Sequence, residues 1–183
     1  MNPNAQPSIK TQRLLLRPFQ LTDAADVQAL AGTKEVAATT QYIPHPYPDG
    51  YAEAWIKTHK PNYIRGYQVM YAVTLQETGE LIGCIGLDFH KEHESATMGY
   101  WFGPQYWNKG YCTESVKGLV SFGFKVLKLN RIQAKHLPRN PASGKVLTKA
   151  GMTHEGTERK STKVRGTFEN MECYAILRTD LSY

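Results

Sequence analysis

Between Ala96 and Leu137 the chain reads as strand, glycine turn, long apolar helix and strand, and that order leaves few folds open. A strand that runs into a helix and returns beside itself makes a parallel pair, which needs a helical crossover and a sheet covered by that helix. The first strand spans about Ala96 to Phe102 and the returning one Arg131 to Leu137. A helix is expected from about Thr113 to Lys128. Val116, Leu119, Val120, Gly123 and Leu127 form its apolar face, widened by Phe122, Phe124 and Val126.

The turn entering that helix, Tyr106-Trp107-Asn108-Lys109-Gly110-Tyr111-Cys112-Thr113-Glu114-Ser115, also has chemical content. The first amides of a helix lack intrahelical partners, and the helix dipole adds about half a positive charge there. That is where a chain holds a phosphate. Gly110 lets the backbone come close to an anion, and Lys109 adds charge. Plain chain reversal explains the same glycine equally well. Neither GxxxxGK[ST] nor GxGxxG is present, which argues against ATP and NAD sites.

The flanking elements read as α/β. Arg13 to Pro18 is a short strand, followed by a helix capped at Thr22 or Asp23 and running to about Ala31. Prolines 44, 46 and 48 mark a loop over Tyr42 to Asp49, and Ala52, Trp55, Ile56 and His59 give the face of a second helix. Tyr67 to Leu75 and Leu81 to Phe89 form a hairpin about the turn 76–80. Asn140 caps a later helix that starts at Pro141 and stops at Gly151. Two strands, about Met152 to Ser161 and Phe168 to Thr179, close the chain around a basic turn at Thr162 to Gly166. No linker or repeat divides the 183 residues, so one domain with a flexible tail over 1–10 is expected.

Composition narrows the classes. No apolar run reaches the roughly 18 residues of a membrane span, and the first residues carry no signal core. Cys84, Cys112 and Cys173 lie far apart with no CxxC pair, so neither zinc nor a disulfide framework is indicated. No metal is expected, and the compartment reads as cytoplasmic. A net charge of +6 favours anionic partners without choosing among them. No RNP-type or KH-type motif supports RNA, so nucleic acid is disfavoured.

Several motifs in order resemble the GNAT superfamily of N-acetyltransferases, and within it the RimJ/RimL-like branch. They are Thr11 to Phe19, Gly79-Glu80-Leu81-Ile82-Gly83, Gly99-Tyr100-Trp101, Asn140-Pro141-Ala142-Ser143 and Val146 to Met152. The resemblance covers nearly the whole chain. It implies an α/β fold with a mixed, mostly antiparallel sheet, helices on both faces and a splayed central strand pair. It implies acetyl-CoA as co-substrate, its pyrophosphate cradled by Trp107, Asn108, Lys109, Gly110, Tyr111, Cys112 and Thr113, and its pantetheine arm paired with Tyr100, Trp101 and Phe102. Asn140 and Ser143 match positions at the thiol end. Trp107 and Cys112 depart from the superfamily's general form of that turn, though Trp is usual in this branch.

The resemblance implies transfer of an acetyl group to a primary amine by direct attack, with a backbone N–H near Phe102 steadying the oxyanion. Ser143 is the acid it offers, because Leu147 stands where many members have a tyrosine. Thr97 stands where a glutamate base is common, and a threonine cannot hold an ammonium proton. Glu172 and Asp88 are the carboxylates left in apolar surroundings, with Glu172 the candidate base; partnered structural roles fit both. Without an assured base an α-amino group, pKa about 7.7–8, is easier to acetylate than a lysine at about 10.4, by about 3.4 kcal/mol. The expected acceptor is therefore a protein or peptide N-terminus, a ribosomal protein among the candidates. A small-molecule amine acetyltransferase and a non-catalytic acyl-CoA-binding module are the alternatives. Monomer and homodimer both fit.

Overall fold

The computed structural model describes residues 5–180. Eight strands form one sheet in the order β1-β2-β3-β4-β5-β6-β8-β7. They are β1 (Ile9–Lys10), β2 (Leu14–Arg17), β3 (Gln68–Leu75), β4 (Leu81–His90), β5 (Ser95–Phe102), β6 (Arg131–His136), β7 (Thr153–Val164) and β8 (Thr167–Leu177). The helices are α1 (Ala24–Ala31), α2 (Lys34–Thr39), α3 (Tyr51–Ile64), α4 (Tyr111–Lys125) and α5 (Pro141–Lys149). Among the described residues β5 and β6 are the one parallel pair, joined by α4; every other pairing is antiparallel. The mixed sheet and the crossover are those expected from the sequence.

Burial follows from this topology. Leu81 to Leu87 of β4 are buried without alternation, as in a strand covered on both faces. One core packs Val116, Leu119, Val120 and Phe124 of α4 against Ile85, Leu87, Met98 and Ile132. A second, smaller one sets Val27 and Leu30 of α1 with Ala52 and Ile56 of α3 against Ala72 and Leu81. β7, at the sheet edge, is exposed over most of its length and carries Glu158, Arg159, Lys160 and Lys163, charges that deter pairing with another chain.

Several boundaries differ from the expected ones. Ile9 and Lys10 pair with Leu16 and Leu15, and Gln6 Nε2 donates to Met70 O at 2.8 Å, so the tail expected over 1–10 is structured in this part; residues 1–4 lie outside the described residues. α2 is not among the helices expected from the sequence: Thr33 caps it, its hydroxyl accepting from Val36 N–H at 3.4 Å. α4 starts two residues early, at Tyr111, because Gly110 already takes the left-handed N-cap conformation (φ 81°). It stops at Lys125, short of Lys128, which itself takes φ 59° and turns the chain. The last hairpin is tighter than Thr162 to Gly166, since Val164 and Thr167 still pair around Arg165 and Gly166.

Arg17 and Asp23 fasten the end of β2 to the helical layer. The guanidinium donates to both carboxylate oxygens, at 2.8 and 2.7 Å, and the Gln20 amide adds a third bond at 2.7 Å. Burial by itself would raise the Asp23 carboxyl, but bonds from Arg17 and Gln20 outweigh it and hold the group below its ordinary range. A lowered carboxyl stabilises the fold above its unfolded pKa, about 3.9, and the contribution disappears as pH falls through the lowered folded value. Asp23→Ala is expected to cost about 2–3 kcal/mol at pH 7 by urea unfolding, with the difference from wild type shrinking below about pH 4.

Candidate active site

The sheet opens at its centre. β5 and β6 pair from Ser95↔Arg131 to Met98↔Ala134 and no further. Beyond that point Gly99 to Phe102 pair only with β4, while Lys135 and His136 pair only with β8. The two strands thus form a fork with one open backbone edge on each arm. Gly103 N–H donates to Ile82 O at 3.0 Å across β4, so the Phe102 carbonyl points the other way, into the fork. Strand residues alternate the edge to which their N–H and C=O point, which turns the Tyr100 and Phe102 amides toward the fork as well.

The arms are held in place by side chains. Trp107 Nε1 donates to the Phe102 carbonyl at 2.7 Å and pins the turn before α4 to the end of β5. Tyr100 OH and Ser143 Oγ lie 2.7 Å apart, joining β5 to the first turn of α5. Asn140 caps α5, its Oδ1 accepting from Ser143 N–H at 3.3 Å, while its Nδ2 reaches the Thr39 carbonyl at 3.5 Å. Burial pushes the Tyr100 phenol far above its ordinary pKa, so it stays a neutral donor.

The turn Trp107 to Thr113 has the geometry of an anion cradle. Asn108 (φ 60°) and Gly110 (φ 81°) both take left-handed backbone, and the helix starts directly after them. The leading amides of α4, from Tyr111, Cys112 and Thr113, have no intrahelical acceptor. Lys109 leans over the Tyr106 ring at 5.8 Å, and Arg13 over the Tyr111 ring at 4.6 Å. Arg13 also donates to the Lys109 carbonyl at 3.1 Å, and its Nε bonds Glu114 at 2.7 Å. Burial pushes the Cys112 thiol up, so it stays protonated and is no nucleophile.

Ser143 and Asn140 therefore stand beside the fork, and the Trp107 to Thr113 turn stands at its mouth. Trp101 is on the other face of β5, packed against the α1 and α3 core. Glu172 is not brought to this group. It accepts from His154 Nε2 at 2.8 Å and Thr157 Oγ1 at 2.9 Å, bonds that hold its carboxyl below the ordinary range and make it a weaker base. It lines a groove of about 620 Å³ with Gly144 and Thr148 of α5, a different face of that helix from Ser143. Asp88 is exposed and accepts from Gln68 at 2.6 Å. Sequence reasoning took Tyr100 only for its backbone and overlooked its hydroxyl, although alternation with Met98 and Phe102 directs it toward α5. Arg13, which braces the cradle from just before β2, about a hundred residues away, left no local signal. Among the described residues no cluster of side chains could hold a metal.

Residues 13–153 match the family model described as an acetyltransferase (GNAT) domain. The chain belongs to the GNAT family of acetyltransferases. It is 32% identical over 177 residues to the N-acetyltransferase YoaA of Bacillus subtilis, itself described as uncharacterized, with 94% of this chain and 97% of that one covered. The fold matches a GNAT acetyltransferase from Bacillus anthracis with TM-score 0.85 and 26% identity, over 94% of this chain and 99% of that one. It also matches RimL, a ribosomal L7/L12 alpha-N-protein acetyltransferase solved with coenzyme A, at TM-score 0.86 and 18% identity, over 93% and 98% of the two chains.

As in other GNAT acetyltransferases, acetyl-CoA is the co-substrate, and the residues present fit it. The α4 amides with Asn108, Lys109 and Gly110 suit the pyrophosphate, and the open edge of Gly99 to Phe102 suits the amide groups of the arm. Gly110 is the sensitive point. A side chain there is strained at φ 81°, and its Cβ would approach Arg13 Nη2 to 3.3 Å. Gly110→Ala is expected to weaken acetyl-CoA binding by about tenfold in calorimetric titration, the equivalent of about 1.4 kcal/mol, with Tm lowered by a few degrees.

Proposed function

We propose that this GNAT enzyme acetylates the α-amino group of a protein or peptide N-terminus, in a ternary complex formed through the fork. The observation that carries this reading is the fork itself: β5 and β6 stop pairing after Met98↔Ala134, with the Tyr100–Ser143 contact on one face of β5 and Trp101 on the other. Tyr100 and Ser143 occupy the α4–α5 face, where the thioester would lie. The opposite face, which carries Trp101, is bordered by the segment after α1 and by the β7–β8 hairpin.

That border is tied together by side-chain hydrogen bonds. Arg139 Nε donates to Ala38 O at 2.9 Å, Arg165 Nη2 to Ala37 O at 2.5 Å, and Gln41 Nε2 to Thr162 Oγ1 at 3.3 Å. Tyr42 extends from it 82% exposed. An extended chain end would lie along this rim with its amine at the fork. RimL, which shares this fold, is an alpha-N-protein acetyltransferase and agrees with such an acceptor, as does the lack of a carboxylate bonded to Ser143 among the described residues.

The chemistry follows from the positions. The neutral amine attacks the acetyl carbon, and the Tyr100 amide donates to the oxygen as charge gathers there. Tyr100 is preferred to the region of Phe102 because its hydroxyl, with that of Ser143, marks where the sulfur rests. The Ser143 hydroxyl, oriented by Tyr100, passes its proton to the departing sulfur and regains one from solvent, which balances the proton the amine gives up. Holding two reactants at this distance supplies most of the acceleration. Three free cysteines agree with a reducing, cytoplasmic setting.

Two measurements test this. Thiol release from acetyl-CoA should be faster with peptides bearing a free α-amine than with α-blocked, lysine-containing peptides or polyamines; a preference for polyamines would reject the acceptor proposed. Ser143→Ala and Tyr100→Phe should each lower kcat about 10²-fold with little change in KM for acetyl-CoA, and the double variant should be no slower than the worse single one.

A further inference from the structure

An amine that reaches the fork must lose a proton, and among the described residues no carboxylate bonds Ser143 or Tyr100; Asp88, opposite Thr97 in the β4–β5 register, is engaged by Gln68 at 2.6 Å. On the acceptor face, however, a line of hydrogen bonds runs away from the apex of the fork. Thr97 pairs with Gln133 one position before the last bonded pair, Met98↔Ala134, and alternation puts its side chain on the face of Trp101. Gln133 Nε2 donates to Thr97 Oγ1 at 3.0 Å, and Thr97 Oγ1 lies 2.8 Å from His90 Nε2. Arg131 Nη2 approaches Gln133 Oε1 at 3.5 Å, and Arg131 itself pairs with Glu155.

The donor inventory gives this line a direction. A guanidinium only donates, so the Gln133 oxygen faces Arg131 and its nitrogen faces Thr97. Thr97 Oγ1 thus spends one lone pair on Gln133 and keeps one lone pair and one hydrogen. The hydrogen is directed to His90 Nε2, which accepts it when the ring carries its own proton on Nδ1. The second lone pair is left for a donor arriving at the fork. His90 is exposed, so its ring can pass a proton to solvent.

We infer that Thr97 and His90 form the proton exit for the acceptor amine, a role that rests on the acetyl-transfer reading above. As the C–N bond forms, the amine proton passes by way of one water to Thr97 Oγ1, whose own hydrogen moves to His90 Nε2. The imidazolium then releases a proton to solvent, and the threonine ends as it began. Tyr100 stands three residues along β5 from Thr97, about 10 Å at 3.3 Å per residue, a span that the amine and one water cover. Both side chains act through that water and are positioning residues. The threonine replaces a base by connecting to one.

The test uses the full-length protein, acetyl-CoA and the best peptide acceptor. His90→Ala, at an exposed position, should lower kcat about 10²-fold while leaving KM for acetyl-CoA and its thermal stabilisation unchanged, and added free imidazole should restore much of the rate. Thr97→Val should lose a similar factor without rescue by imidazole, and Thr97→Ser should recover most of what the valine lost. Wild-type rate in His90→Ala, or a loss that imidazole leaves untouched, overturns the proton exit while the acetyl-transfer reading stands. Wild-type protein that binds acetyl-CoA but turns over no amine overturns both.

Discussion

Backbone that gives up its sheet partners is the constraint on which this molecule depends. A strand at the centre of a sheet normally pairs on both edges, and an unmet buried N–H or C=O costs about 1–3 kcal/mol. β5 forgoes that pairing after Met98, and the surroundings compensate. Trp107 takes the Phe102 carbonyl, and the Tyr100–Ser143 contact props the arm against α5. On the reading proposed above, the remaining groups are left for the amides of the acetyl-CoA arm, which would complete the sheet. Binding specificity and the sheet's unfinished hydrogen bonding are the same feature.

The two faces of the fork divide the chemistry. The α4–α5 side offers neutral hydroxyls and helix-start amides, a setting for a thioester and its phosphates. The other side offers a polar line, from Arg131 through Gln133 to Thr97 and His90, that ends on an exposed ring. Glu172, the carboxylate that sequence suggested as a base, belongs to neither group. Its lowered pKa reflects His154 and Thr157 on the outer hairpin, an illustration that a perturbed acid more often reports a structural pair.

Much of this was legible in the residues. Val116 to Phe124 at helical spacing, Gly110 ahead of them and the strands on either side led directly to the crossover, and Asn140-Pro141 fixed the start of α5. What escaped did so for physical reasons. α2 has only six residues, too few to show a period, and is revealed by its Thr33 cap alone. β1 is two residues that form a strand only because β2 lies beside them. The Tyr100–Ser143 and Thr97–His90 contacts join side chains from separate elements or separate strands. Sequence spacing holds no information on whether such atoms stop at 2.7 Å or at 7 Å. Motifs marked the place; packing decided the partners.

The brace from Arg13 to the cradle has a bearing on how the enzyme is handled. Arg13 precedes β2, yet its amide and its guanidinium grip Glu114 in the first turn of α4 and the Lys109 carbonyl in the turn itself. Thr11 adds a bond to the same carboxylate at 2.7 Å. The amino-terminal ribbon is thus a splint for the turn proposed to hold the pyrophosphate. Clipping it by a protease, or crowding it with a fusion partner, would register as poor cofactor retention in a protein whose core remained intact.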